Sequence, residues 1–246
     1  MNRELQAEFL KQRTTRTTIG MIGAMLAVAL LAIALHAFGL STSRLHVRSD
    51  QLGVFVDVGE NLGSLFAALL GAMAITAEVR HGTIRPTLLA TPNRARVIVA
   101  KAATAFATGF VVGLLATAVV AGAGSAFVAV RGVAIQLGAG DYVLLLVGGA
   151  ISAALWAVIG LGVGALVRSQ VPTMVGILVW VLFVENILLG SVPTIGRYAP
   201  GALGRAIAGQ TDSTLHTPAL GVVLLGLYAA AAVAVGLRAT TRRDFA

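Results

Sequence analysis

Six stretches of the chain run for about twenty residues or more with few or no charges, and this pattern constrains the fold more than any other feature. They fall at about residues 18–40, 53–77, 97–130, 142–167, 171–189 and 219–237. A hydrocarbon core about 30 Å thick takes roughly 20 residues of helix, so each stretch is long enough to cross a bilayer, and the third is long enough to tilt or break. A membrane β-barrel would need roughly ten-residue segments that alternate apolar and polar. These blocks are apolar on every face, so helices that satisfy their own backbone hydrogen bonds are the expected solution. The predicted fold class is an all-α membrane protein with six transmembrane helices, forming a single transmembrane domain over residues 1–246.

Charge placement supports this reading. The chain carries 18 Lys and Arg against 10 Asp and Glu, a formal net charge of +8. On a soluble protein such an excess would suggest nucleic acid. Here 57% of residues are hydrophobic and 11% charged, and the basic residues lie between the apolar blocks. With both termini placed in the cytosol, thirteen basic residues fall inside. They are Arg3, Lys11, Arg13 and Arg16; Arg80, Arg85, Arg94, Arg96 and Lys101; Arg168; and Arg238, Arg242 and Arg243. Five fall outside, beside most of the acids. This is the bias expected of a protein of the cell inner (plasma) membrane with cytosolic termini, and it accounts for the charge with no nucleic-acid partner. The absence of cysteine excludes disulfides, thiolate metal sites and a cysteine nucleophile.

The first apolar stretch exceeds the usual apolar core of a secretory signal, about 7–15 residues, and reads as a retained span. Before it, Leu5, Phe9 and Leu10 fall at helical spacing among Arg3, Glu4, Glu8 and Lys11. That pattern predicts an N-terminal amphipathic interface helix over residues 1–17 with its apolar stripe toward lipid; the alternative is a frayed tail.

Between the second and third stretches, residues 78–96 read EVRHGTIRPTLLATPNRAR. Gly82 interrupts the preceding helix, Thr83 can cap a new one, Pro86 is tolerated in a first turn, and Thr91-Pro92 stops it. About seven residues remain, with Ile84, Leu88 and Leu89 on a small apolar face suited to docking on a protein. An ordinary basic loop is the plainer alternative. Arg94, Arg96 and Lys101 sit where long side chains reach lipid headgroups, and His81 reads as a surface residue.

The string Glu78-x-Arg80-His81-Gly82-Thr83-Ile84-Arg85-Pro86-Thr87-Leu88-Leu89-Ala90-Thr91-Pro92-x-Arg94, followed by Lys101, resembles the corresponding cytosolic segment of ABC type-2 permeases, the membrane subunits of ATP-binding-cassette exporters. The resemblance extends to six spans, an amphipathic N-terminal helix, and a long outer connection containing Arg197-Tyr198-Ala199-Pro200-Gly201-Ala202-Leu203. It implies that segment 78–96 is a short cytosolic coupling helix seated in a groove of a separate ATPase subunit. The implied coupling residues are Glu78, Arg80, Gly82, Thr83, Arg85 and Leu88. It also implies a second permease copy or paralogue as partner, within a lipid bilayer. No cofactor is expected in this chain, ATP and Mg being bound by the partner subunit.

The motifs agree with a chain that is not itself an ATPase. A phosphate-binding loop of the form GxxxxGK[ST] needs a lysine followed by a hydroxyl residue. The two lysines are followed by Gln12 and Ala102. Neither HExxH nor GxSxG occurs, and His36, His46, His81 and His216 are scattered. The chain is therefore expected not to be an enzyme.

Charges inside the apolar blocks ask for a cavity or a partner, at about 2.5–3.5 kcal/mol each near the bilayer centre. Glu185 and Asn186 lie roughly 21 Å along the fifth span. Asp57, Glu60 and Asn61 share one face of the second. Together they predict a wet, acidic outer pathway or gate; the alternative is that Asp57 and Glu60 precede the span and meet bulk water. The pairs Gly109/Gly113 and Gly160/Gly164 have the small-residue spacing of close helix contact, expected within the monomer. Residues 191–218 are too polar to span and predict a short helix around 202–208 lying at or dipping into the outer surface. A self-sufficient secondary transporter or channel remains the rival reading. It would want acids near the midplane and broken helices in two repeats.

Overall fold

The computed structural model describes residues 2–39, 45–83 and 94–242, and among them every regular element is helical. Helix α1 spans Asn2–Thr14, α2 Arg16–Gly39, α3 Arg48–Arg80 and α4 Arg94–Val130. Helix α5 spans Ala139–Val167, and α6 Gln170–Ser191. Two short helices follow, α7 Pro193–Gly196 and α8 Pro200–Ile207, and the last, α9, spans Pro218–Arg242. Six of these helices, α2 to α6 and α9, are long and apolar enough to cross a membrane. The chain is a multi-pass membrane protein.

The apolar runs understate two of the helices. Helix α3 extends through Glu78 and Arg80 at one end and Arg48 at the other. Helix α4 continues for 37 residues without the break that its length allowed. Conversely, α5 and α6 each contain a π-helical stretch, Leu144–Gly148 and Trp180–Val184, and neither stretch was expected from the sequence.

Lipid tails are as apolar as leucine, so close van der Waals packing has to hold such helices together. Helices α3, α4 and α5 pack mutually at the centre, with α9 on the far side of α5 and α2 outside α3 and α4. Of the most apolar window of α3, 67% is buried, against 17% for α2 and 22% each for α6 and α9. The central contact is backbone on backbone. A Cβ on Gly71 of α3 would lie 2.7 Å from the carbonyl carbon of Ala157 of α5, and one on Gly160 would lie 2.7 Å from that of Ala68. Gly109 and Gly113 of α4 press on Ala153 of α5, and Gly164 on Ala72 of α3. Both small-residue pairs are thus packing surfaces within the chain.

Lys101 near the start of α4 meets Glu78 at the end of α3 and Glu8 of α1, and Arg168 donates to Ala239 O near the end of α9, so α1 and the end of α9 lie at the same end of the bundle, the one rich in Lys and Arg. At the opposite end the connections are tied by polar contacts. The Gln51 amide donates to the carbonyls of Leu45 (2.7 Å) and Ala134 (2.9 Å) and accepts from Gln136 N–H at 2.9 Å. Arg48 Nε donates to Asp141 at 2.9 Å.

Between α6 and α9 the chain turns inward. Helix α8 starts with Pro200, whose missing N–H costs nothing in a first turn. It ends at Gly209, whose φ of +89° suits glycine. Every residue of α8 except Arg205 is buried, against α9, α3, α5 and α6. Of the two placements expected for this helix, lying at the outer surface or dipping into it, the structure shows the second.

Candidate functional site

At the basic end, α3 finishes in a complete cap. Gly82 takes φ +68°, its N–H bonds to Val79 O at 3.2 Å, and Thr83 N–H bonds to Glu78 O at 3.0 Å. These are the paired bonds of a Schellman motif, and a residue with a Cβ would resist that φ. The chain thus leaves α3 at a fixed angle. Of the residues implied as coupling positions, Glu78, Arg80, Gly82 and Thr83 gather at this turn. Arg85 and Leu88 lie outside the described residues, as does most of segment 78–96.

Glu78 does not face outward. Lys101 of α4 is 1% exposed, and its ammonium lies 2.8 Å from Glu78 Oε1, 2.8 Å from Glu8 Oε2 of α1 and 3.0 Å from Ala74 O. Lys11 adds a second bridge, at 2.9 Å to Glu8 and 2.8 Å to Glu78. Burial opposes the charge on Lys11, but hydrogen bonds to Glu78 and Glu8 outweigh it and hold the pKa above the usual lysine value. The expectation that Lys101 reaches lipid headgroups is corrected. Three acceptors within reach of its three donors make the interior the better site. Helix α1 correspondingly turns Glu8 inward while Phe9 and Leu10 stay exposed. Arg80 is exposed, and donates to Gln170 Oε1 at 3.1 Å. A cavity of about 600 Å³ opens beside this cluster, among α1, α3 and the start of α6, with Lys11, Thr18, Met73 and Gln170 in its walls.

At the opposite end, four of the five outer residues converge on α8. Glu60, 1% exposed, accepts from Ser64 at 2.7 Å and Ser152 at 2.6 Å through Oε1, while its Oε2 has no hydrogen-bond partner. Glu185, 5% exposed, directly follows the π-helical stretch of α6 and accepts from the Trp180 indole and the Gly201 backbone N–H. Helix α8 reaches both carboxylates because it presents glycine to each. A Cβ on Gly204 would lie 3.0 Å from the Glu60 carboxyl carbon, and one on Gly201 3.0 Å from that of Glu185.

Arg205 completes the group, donating to Asn186 Oδ1 at 3.0 Å and lying 3.8 Å from Asp57. Sequence reasoning passed over it as one of five basic residues on the outer side. The available signal was that it is the one charge within an otherwise apolar helix. Asn61 stays apart and donates to Asp57 O of its own helix at 2.9 Å. The carboxylates of Glu60 and Glu185 are covered by α8 and buried, so of the alternative that Asp57 and Glu60 meet bulk water only exposed Asp57 fits. Among the described residues, no group of three or more His, Asp or Glu could hold a metal ion.

A family model described as "ABC-2 family transporter protein" matches residues 4–185. This range takes in α1, the turn at Gly82 and the spans through Glu185. No curated protein matches the chain.

Proposed function

The chain belongs to the ABC-2 family of transporter proteins, and on that premise we propose that it is the membrane-spanning subunit of an ATP-driven exporter, coupled to separate ATPase subunits through residues 78–96. Its place as a permease component of an ABC transporter follows from the family itself. Coupling and outward direction are the further steps. The observation that carries them is the family match across the turn at Gly82.

A coupling segment has to pass a displacement from one protein to another without dissipating it. Its root here is a glycine-capped helix end whose last turn is tied by ion pairs to two other helices. Arg80, exposed beside that turn, can reach a carboxylate on a partner. On this reading two copies of the chain, or this chain and a paralogue, enclose the pathway. ATP binding by the partner subunits changes which side of it is open. Both termini face the cytosol of a cell whose inner (plasma) membrane holds the complex, in keeping with the thirteen basic residues on that side.

The test is purification in mild detergent. A subunit carrying a phosphate-binding loop should accompany this chain, and its ATPase rate should depend on the chain's presence. One observation favours the rival, self-sufficient transporter: Glu60 is a buried acid with an unpartnered oxygen. Liposomes holding this chain alone, with no nucleotide, decide between the two. Cargo movement there would refute the ATP-driven reading.

A further inference from the structure

We propose that Lys101 and Glu8 are positioning residues that fasten helix α1 to the root of the coupling segment, so that α1 moves with that segment as one lever. The inference rests on the permease reading above and adds a second driven element to it. The ammonium of Lys101 has three N–H donors, and all three are spent on groups from helices other than its own: Glu8 Oε2 on α1, and Glu78 Oε1 and Ala74 O on α3. Lys101 is 1% exposed, so these contacts are shielded from water and salt, which would otherwise weaken them. Lys11 closes the ring by joining the same two carboxylates, so the four side chains carry no net charge.

Glu78 lies within the last turn of α3, and its carbonyl receives the capping N–H of Thr83. A pull on the chain beyond Thr83 therefore acts on Glu78 through the cap, and on Glu8 through Lys101 and Lys11. The apolar residues of α1 contribute little to its seat, since Phe9 and Leu10 are 46% and 63% exposed. Gln12 adds one polar contact, with Thr108 of α4. Charge pairing to α3 and α4, more than apolar packing, fixes where α1 sits.

This chain has no native cysteine, so within it an introduced pair is the only pair that labels, and the test needs only an ATPase subunit whose own cysteines are replaced. Spin labels at Phe9→Cys on α1 and His81→Cys beside the cap are each paired with one at Leu227→Cys on α9, in the complex co-purified with its ATPase. Electron paramagnetic resonance then reads both distances with and without ATP. The expected result is that both distances shift together in the otherwise native chain. In Glu8→Ala, which leaves Lys101 and Lys11 no acceptor on that side chain of α1, the His81 distance should keep its shift and the Phe9 distance should lose most of its own. Lys101→Gln, which disturbs a fully buried site, should do the same. Glu8→Ala leaves Lys101 paired with Glu78 and so carries the test by itself. A Phe9 shift that persists in Glu8→Ala overturns the inference, as does a native complex in which His81 moves and Phe9 does not. Absence of any ATP-driven shift at His81 overturns the driven-permease reading, and the lever with it.

Discussion

Adding one methyl group to Gly71 should destabilise the protein markedly, whereas the same change at Gly122 should not. Both glycines lie inside long helices, Gly71 in α3 and Gly122 in α4. A Cβ at Gly122 meets nothing within 4 Å. Gly122→Ala then shows only the intrinsic preference of alanine for a helix, a gain of about 0.5–1 kcal/mol. At Gly71 the same atom would lie 2.7 Å from the carbonyl carbon of Ala157 and 3.0 Å from its Cα. Ordinary contact begins near 3.4 Å and the Ala157 carbonyl oxygen would lie closer still, so α3 and α5 must separate by more than about 0.7 Å at that point. Neither neighbour is a side chain that could swing aside.

Overpacking of this kind costs about 1–3 kcal/mol. Here the separation would also loosen the reciprocal contact of Gly160 on Ala68, just under one turn away along each helix. With the propensity gain at the control site included, the two variants should differ by about 3 kcal/mol. At about 2–4 °C per kcal/mol for a chain of this size, that is roughly 6–12 °C between their unfolding midpoints. Thermal unfolding of both variants in one detergent, followed by loss of monodisperse protein, measures the gap. Equal midpoints, or a Gly71→Ala protein no less stable than the native chain, would refute the claim that α3 and α5 are locked backbone to backbone.

Gly82→Pro and Arg85→Glu should each abolish stimulation of the partner ATPase while membrane insertion stays normal, since one removes the capping N–H and φ that set the chain's exit and the other reverses a charge implied to meet the partner; unchanged transport by both would count decisively against coupling through this segment. Glu60→Gln keeps an oxygen to accept from Ser64 and Ser152, and should change the unfolding midpoint little and leave ATP-driven transport in place. Loss of transport with a normal fold would instead favour a proton-dependent mechanism. The fold raises the pKa of Lys11, so its contribution is complete below the unfolded lysine value of 10.5 and fades only as pH climbs through the higher folded value. A label on α1 should accordingly report unchanged docking from about pH 6 to about pH 9.

The spans were legible because lipid demands nothing of them beyond length and the absence of charge, and both can be counted along the chain. The end of α3 was legible for a local reason: Gly82 supplies the one backbone conformation that its cap requires. Lys101 was not. A lone lysine one turn or two into a helix, after Arg94 and Arg96, has the pattern of a headgroup contact. Its partner Glu8 is 93 residues away, and only the folded chain brings them together. Helix α8 was half legible. Pro200 and Gly209 bracket it, but Gly201, Gly204 and Arg205 make it look like a surface turn. Those two glycines let the helix lie against buried carboxylates, a relation that exists only between elements distant in the chain.

The two polar clusters are joined by one helix. Glu78 and Glu60 both belong to α3, 18 residues or about 27 Å apart along an unbroken helix. Between them lies the stretch in which α3 meets α5 backbone to backbone. A displacement entering at Glu78 should therefore carry α3 and α5 together. Helix α6 is held differently. Only 22% of its most apolar window is buried, and it departs from α-helical geometry over the five residues just before Glu185, as helices often do at functional sites. Relative movement is then expected between the α3–α5 pair and α6. Helix α8 spans that joint, with Gly204 against Glu60 on one side and Gly201 and Arg205 against Glu185 and Asn186 on the other. On the permease reading proposed above, a motion driven from the basic end would have to strain or release these contacts, and α8 would be the place where it opens the far end of the pathway.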